Sequence, residues 1–219
     1  MSSYSIFVTG GTGYIGRPLL HALVEREHHV RALARRGSEG KLPAGCEPIA
    51  GNALDATSYA DHIVPCHTFV QLVGVAHPSP AKTAEFQSID RASALGAIAA
   101  AKDAGIQHFV YLSVAQPAPM MKSFIAVRAE CEAALSATGM NVTIVRPWYV
   151  LGPGHRWPYA LLPMYWLCER IPSTRDGARQ LGLFTLPQMT RTLLSAIENH
   201  SIGARIIEAL QIRTGLPTA

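Results

Sequence analysis

The chain has 219 residues, 48% of them hydrophobic and 16% charged, with a formal net charge of +4. That composition supplies one large buried core and excludes a disordered tail as a major part of the chain. Its basic excess is spread out, with no run of like charge longer than Arg35-Arg36, so a nucleic-acid-binding stripe is excluded.

The opening residues MSSYSIFVTGG enter a strand pattern without a basic flank and a secretory apolar core, which points to a cytoplasmic protein. A strand over residues 5–9 leads to a helix over 15–26, then a strand over 29–34. A strand at 48–50 is followed by a helix over 55–63. Next come a strand at 68–73, an Ala-rich helix at 83–104, a strand at 108–114, a helix at 122–138 and a strand at 141–145. Phe69-Val70-Gln71-Leu72-Val73 is nearly all apolar, as a parallel strand covered on both faces requires.

The alternation predicts an α/β fold: a Rossmann-like, doubly wound parallel sheet with helices on both faces and its ligand crevice at the strands' C-terminal ends. After Val150 the rhythm loosens into Gly- and Pro-rich sequence. A helix over 188–199, started by Pro187, and a last strand over 205–209 at the sheet edge complete the chain. Residues 1–219 thus read as one Rossmann-like domain, with 151–203 as a substrate or lid segment before the last strand.

Cys46, Cys66, Cys131 and Cys168 are irregularly spaced, which suits reduced thiols. His62, Cys66 and His67 lack a second ligand cluster, and no metal is expected. The apolar stretch 157–168 is interrupted by Pro158 and Pro163 and is too short to span a bilayer.

The chemistry-bearing motif is Thr9-Gly10-Gly11-Thr12-Gly13-Tyr14-Ile15-Gly16, which leaves the first strand and opens the first helix. Gly10 and Gly11 permit a tight turn, Gly13 lets backbone approach a pyrophosphate, and Gly16 lets the helix pack closely. The helix N-terminus offers free N–H groups and a positive partial charge to the anion. At the end of the second strand, where an NAD-selective site places a carboxylate, stand Arg35 and Arg36. Either guanidinium suits a 2′-phosphate, so NADP(H) is expected in preference to NAD(H); the alternative is two solvated loop arginines. Asn52, after the third strand, is placed to reach the adenine edge.

TGGTGYIG at Thr9 to Gly16, YLSV at Tyr111 to Val114 and IVRPWYVLGPG at Ile144 to Gly154 together resemble the extended and atypical short-chain dehydrogenase/reductases, in particular NmrA-like and epimerase/dehydratase-like members. The likeness spans nearly the whole chain. It implies a catalytic Ser near the fifth strand's end and a Tyr-x-x-x-Lys pair on the following helix. The matching residues are Phe124 and Arg128, followed by Glu130 and Glu132. Phe124 has no proton to exchange. Arg128 stays cationic, so the resemblance gives it ribose hydroxyls or phosphate to hold but no proton shuttling. Ser113 is the best remaining hydroxyl, with Val114 where the catalytic Ser often falls.

Replacement donors on paper are Tyr149, His155, Tyr159, Tyr165 and Lys122. Trp148, Tyr149, Trp157, Leu161, Leu162, Met164 and Trp166 read as a group that walls an apolar acceptor pocket, or as a packed lid or protein interface within segment 148–168. The leading reading is an atypical NADPH-dependent reductase passing hydride to a small apolar or aromatic acceptor of the quinone, flavin or enal type. The rivals are a non-catalytic NADP(H) sensor or scaffold and, third, a sugar-nucleotide-type epimerase or dehydratase.

Overall fold

A computed structural model describes residues 3–118, 120–153, 160 and 162–215. The chain opens with β1 (Ser5–Thr9), α1 (Gly16–Glu25), β2 (His29–Ala34) and β3 (Cys46–Ala50). It crosses to β4 (Thr68–Gln71), then passes through α2 (Thr83–Glu85), a π turn (Phe86–Arg91) and α3 (Ala92–Asp103) to β5 (His108–Leu112). α4 (Lys122–Ser136) and β6 (Asn141–Arg146) follow. Beyond them lie β7 (Val150–Leu151), α5 (Leu162–Cys168), α6 (Pro172–Gln180) and β8 (Phe184–Thr185). α7 (Leu186–Glu198), β9 (Ala204–Glu208) and α8 (Ala209–Thr214) close the described chain.

Seven strands form one sheet in the order β3-β2-β1-β4-β5-β6-β9, and every neighbouring pair is parallel. This is the doubly wound Rossmann-like arrangement expected from the alternation of strands and helices. On one face Phe7, Phe69 and Phe109 sit in register across β1, β4 and β5, their rings stacked with centroids 5.3 and 5.1 Å apart. α3 and α4 cover that row with Ala97, Ile98, Val127 and Leu135. On the other face Ile6, Val8, Val70 and Val110 are covered by Leu19 and Leu23 of α1 and Met189 and Leu193 of α7. Burial on both sides explains why β4 lacks a polar/apolar alternation.

Three expectations are corrected. The helix expected over 55–63 is instead two short 3-10 turns, Ala56–Ser58 and Ala60–His62. Asp55 draws its own backbone into a turn by accepting from the Thr57 N–H at 3.2 Å, and this local bond competes with a continuous helix. The helix expected over 83–104 is interrupted by the π turn, within which Phe86 and Asp90, four apart, both face inward. Among the described residues after Val150 the chain forms more helix than its Pro and Gly content suggests. Pro163 and Pro172 lie in the first turns of α5 and α6, where a missing N–H costs nothing. Thr185 caps α7 in a reciprocal box with Gln188, and Pro187 sits in the first turn. No helix among the described residues is long and apolar enough to cross a membrane.

Candidate functional site

β2 and β3 lie on one side of β1, and β4 and its successors on the other. The crevice of such a sheet opens where the order reverses, outside the C-terminal ends of β1 and β4. The glycine turn leaves β1 there. Gly10 adopts φ +76°, and a Cβ on it would lie 2.9 Å from the Leu72 carbonyl carbon and 3.0 Å from the Val73 nitrogen. The turn therefore rests directly on the exit of β4. Gly13 is exposed and donates its N–H to the Gly10 carbonyl at 3.0 Å, which folds the turn back on itself. A Cβ on Gly16 would overlap the Gly10 carbonyl oxygen and lie 2.7 Å from Gly11 Cα, so the first residue of α1 is pressed against the turn. Gly11 in turn admits the Leu20 side chain.

α1 begins with no side-chain cap and no acidic residue in its first turn. Such an end presents backbone N–H groups and the positive dipole terminus without a competing carboxylate. The residues present thus fit a dinucleotide's pyrophosphate.

Thr9 is fully buried, and its hydroxyl bonds to Gln71 within the sheet, so its side chain is structural. Thr12 is half-buried and its carbonyl accepts from Arg17 Nε at 3.2 Å. Arg17, passed over in the sequence, brings a cation to the first turn of α1. Tyr14 places its hydroxyl against Gly152, and Ile15 packs on the core beneath α1.

Arg35 and Arg36 emerge exposed immediately after β2, and neither forms an ion pair among the described residues. Asn52 is exposed after β3, and its Oδ1 is held by the Leu54 N–H at 3.1 Å. His62, Cys66 and His67 do not converge: the described residues contain no group of three potential metal ligands.

Phe124 and Arg128, one turn apart on α4, face inward. Phe124 is 8% exposed and packs on Phe86 with ring centroids 4.8 Å apart. The Arg128 guanidinium lies 5.1 Å from the Phe124 ring centroid. Its Nη1 donates to the Leu112 carbonyl at 2.7 Å and to the Tyr111 hydroxyl at 3.2 Å, and its Nη2 pairs with Asp90. Asp90 also accepts the Val75 N–H at 3.0 Å. A side chain on Gly74 would displace Arg128, so the fork fits only because β4 exits through a glycine. Burial raises the Asp90 carboxyl against the pull of Arg128, and burial raises the Tyr111 phenol.

Arg128 therefore ties together the exits of β4 and β5 and the π turn, a task suited to a planar five-donor fork and not to a lysine. Where the resemblance implied a grip on ribose hydroxyls or phosphate, both terminal nitrogens are engaged inside the protein and Nε is buried. Ser113, the hydroxyl singled out in the sequence, is likewise engaged. It is buried, and its hydroxyl donates to Glu132, which also accepts from Gln116 at 2.9 Å and pairs with Arg146. Its hydroxyl serves this interior network.

Beyond the exit of β6 lies a cavity of about 520 Å³ lined by Met120, Trp148, Tyr149, Met164, Tyr165, Cys168, Thr174, Gly177, Ala178 and Leu181. Trp148 donates its indole N–H to the Tyr165 hydroxyl at 3.1 Å. Burial raises the phenols of Tyr149 and Tyr165. Of the expected aromatic and apolar group, Trp148, Tyr149 and Met164 line this cavity. Leu162 and Trp166 do not: both are exposed, and Trp166 lies under the Arg170 guanidinium, 3.4 Å from its ring centroid. His155, Trp157, Tyr159 and Leu161 lie outside the described residues. Lys122 begins α4 and is exposed.

A family model described as NAD(P)H-binding matches residues 10–156, a stretch that begins in the glycine turn and ends beyond β7. The chain belongs to this family. Among curated relatives, this NAD(P)H-binding chain is 30% identical over 204 residues to a 4-hydroxy-2-methyl-3-oxo-4-farnesyl-3,4-dihydroquinoline-1-oxide ketoreductase of Stigmatella aurantiaca, covering 80% of this chain and 58% of that protein. It is 28% identical over 170 residues to a ceramide reductase of Caulobacter vibrioides, covering 76% and 52%. The chain thus spans little more than half the length of these relatives. Among solved structures, the Bordetella bronchiseptica enzyme WbmH in complex with NAD+ aligns with a TM-score of 0.70 at 17% identity, covering 94% of this chain and 75% of that one. MoeE5 in complex with UDP-glucuronic acid and NAD aligns with a TM-score of 0.71 at 19% identity, covering 92% and 75%. At these identities the structures establish the fold, which is also that of a short-chain dehydrogenase/reductase superfamily protein from Agrobacterium tumefaciens.

Proposed function

We propose that the chain is a cytoplasmic NADPH-dependent reductase acting on an apolar or aromatic acceptor. The observation that carries this reading is the aromatic cavity at the exit of β6, on the same strand-terminal side of the sheet as the glycine turn. A cavity of that volume with few polar groups suits a ring system or an alkyl-bearing carbonyl compound, of which quinones are the simplest members. The ketoreductase and ceramide reductase relatives, whose names specify a farnesyl-bearing quinoline oxide and a ceramide, fit an apolar acceptor. Four unpaired cysteines fit a reducing compartment.

Gly10, Gly11, Gly13 and Gly16 give the backbone its approach to the pyrophosphate, with the amides around Thr12 to Ile15 as donors and Arg17 beside them. Arg35 and Arg36 hold the 2′-phosphate, and Asn52 faces the adenine. When bound, reduced nicotinamide would supply a hydride, two electrons and one proton, to the acceptor. Trp148, Tyr149 and Met164 wall the acceptor and exclude water. Arg128 fixes the floor beneath by joining the β4 and β5 exits.

The exposed run on α5 favours a second reading: Met164, Trp166 and Leu167 are 52%, 57% and 54% exposed, a surface suited to a protein partner of a nucleotide sensor. A sugar-nucleotide epimerase or dehydratase ranks third, because the cavity is poor in groups for sugar hydroxyls.

Protein mixed with NADPH and a panel of quinones, flavins and enals tests the function. Oxidation of NADPH with at least one apolar acceptor is the expected result; tight nucleotide binding with no turnover would transfer support to the sensor. Titration with NADPH against NADH is expected to show about ten- to a hundred-fold preference for NADPH, lost in Arg35→Ala, as a charge-assisted contact implies. Equal affinity for the two nucleotides would remove Arg35 from the site.

A further inference from the structure

We propose that Tyr165 is the proton donor to the acceptor's carbonyl oxygen, an inference that rests on the reductase reading above. The hydroxyls nearest the altered α4 pair are already committed. Phe124 has none, Ser113 donates to Glu132, and Tyr111 is fully buried against Arg128. Within the cavity, Thr174 donates to the Cys168 carbonyl at 2.8 Å.

Tyr165 differs from all of these. It lines the cavity from α5, and its oxygen accepts the Trp148 indole N–H at 3.1 Å. An indole N–H is only a donor, so this bond occupies a phenol lone pair and leaves the phenol's own proton for another acceptor. The same bond strengthens as negative charge grows on the phenol oxygen, which is when a departing proton needs help. Tyr165 thus combines cavity access with a stabilised conjugate base, the two properties a general acid requires.

The step balances as follows. The acceptor's C=O π pair moves onto oxygen as hydride from the reduced dinucleotide reaches carbon. The phenol O–H of Tyr165 breaks and a new O–H forms on the acceptor. The phenolate, held by Trp148, then takes a proton from water, so one reduced dinucleotide and one proton are consumed per carbonyl reduced. For a quinone the product is the hydroquinone, after the adduct enolises.

The titratable neighbours in the cavity are the Tyr149 phenol, from the chain after β6, and the Cys168 thiol, one turn along α5. α6 and the loop before α4 contribute the uncharged Thr174, Gly177, Ala178 and Met120 to the lining. The wild-type rate is expected to fall at alkaline pH along a limb above the usual phenol pKa of about 10, because burial raises this group. That limb persists in Tyr149→Phe and Cys168→Ala whatever their rates.

The test is Tyr165→Phe, read in two ways. In the nucleotide-free protein, 1,4-naphthoquinone binding followed by quenching of tryptophan fluorescence is expected to weaken by up to about tenfold, the loss of one hydrogen bond. With NADPH, turnover is expected to fall about a hundredfold or more and the alkaline limb to vanish, while the NADPH dissociation constant holds. Trp148→Phe removes the bond that lowers the phenol's pKa, so its alkaline limb moves to higher pH; this readout stands even if Tyr165→Phe fails to fold. Full activity with an unchanged limb in Tyr165→Phe, or an unmoved limb in Trp148→Phe, overturns Tyr165 and leaves the reductase standing. A wild-type protein that binds NADPH and reduces nothing overturns both.

Discussion

Arg128→Met is expected to destabilise the fold by about 3–5 kcal/mol, the cost of stranding one member of a buried ion pair. For a chain of this size that is a fall in Tm of roughly 10 °C. The cost comes from the groups left behind. Asp90 is fully buried and would keep a charge or take up a proton with only backbone N–H groups, those of Val75 and of Asp90 itself, to satisfy it. The Leu112 carbonyl and the Tyr111 hydroxyl each lose a donor as well. Arg128→Lys is expected to fall between, because an ammonium keeps the charge but cannot span two acceptors on β5 and one on the π turn. Adding Asp90→Leu to Arg128→Met is expected to restore much of the loss, since an apolar pair can replace a buried ionic one at little net cost. Thermal or urea unfolding of the four proteins checks this. A loss below about 1 kcal/mol in Arg128→Met would show that the pair is not a structural tie.

The sequence carried the sheet and the turn because both are local and periodic. Strands such as β4 are apolar on both faces, and the turn is four glycines in eight residues, each of which answers to a close approach in the fold. What it did not carry was the destination of side chains whose partners are remote in the chain. Ser113 finds Glu132 on α4, and Arg128 finds Asp90, 38 residues away. A motif read by position gave Arg128 to the cofactor and Ser113 to catalysis; in the fold each side chain bonds within a separate interior network. The cavity was legible as a cluster of aromatic residues between 148 and 166, but its wall from Thr174 to Leu181 was not, because α6 is short and polar in sequence and is recruited by packing on α5 and α8.

This division bears on the chemistry. Where the resemblance places a tyrosine and a lysine, the chain has a ring packed at a tilt on Phe86 and a fork bonded to β5 and to the π turn. In the proposed reductase an acid then comes from another wall of the crevice, and the only phenols lining the described cavity are Tyr149 and Tyr165.

Gly16→Ala is expected to lower affinity for NADPH about a hundredfold or more while leaving a folded protein. A Cβ there meets backbone on every near side: it overlaps the Gly10 carbonyl oxygen and falls 2.7 and 2.9 Å from the Gly11 Cα and carbonyl carbon. Backbone cannot rotate away as a side-chain end can, so the turn and the first residues of α1 must separate. The overpacking itself costs about 1–3 kcal/mol in the nucleotide-free protein. The larger consequence is geometric, since amides aimed at a pyrophosphate lose hydrogen bonds when the helix end shifts by a few tenths of an ångström. Gly13→Ala separates these effects. Its Cβ would meet only the Gly10 carbonyl oxygen, at 3.1 Å, on an exposed face, so stability is kept and affinity falls through obstruction of the nucleotide. Calorimetric titration with NADPH beside thermal unfolding distinguishes the two. Binding by Gly16→Ala as tight as wild type would mean that the dinucleotide is held somewhere other than the end of α1.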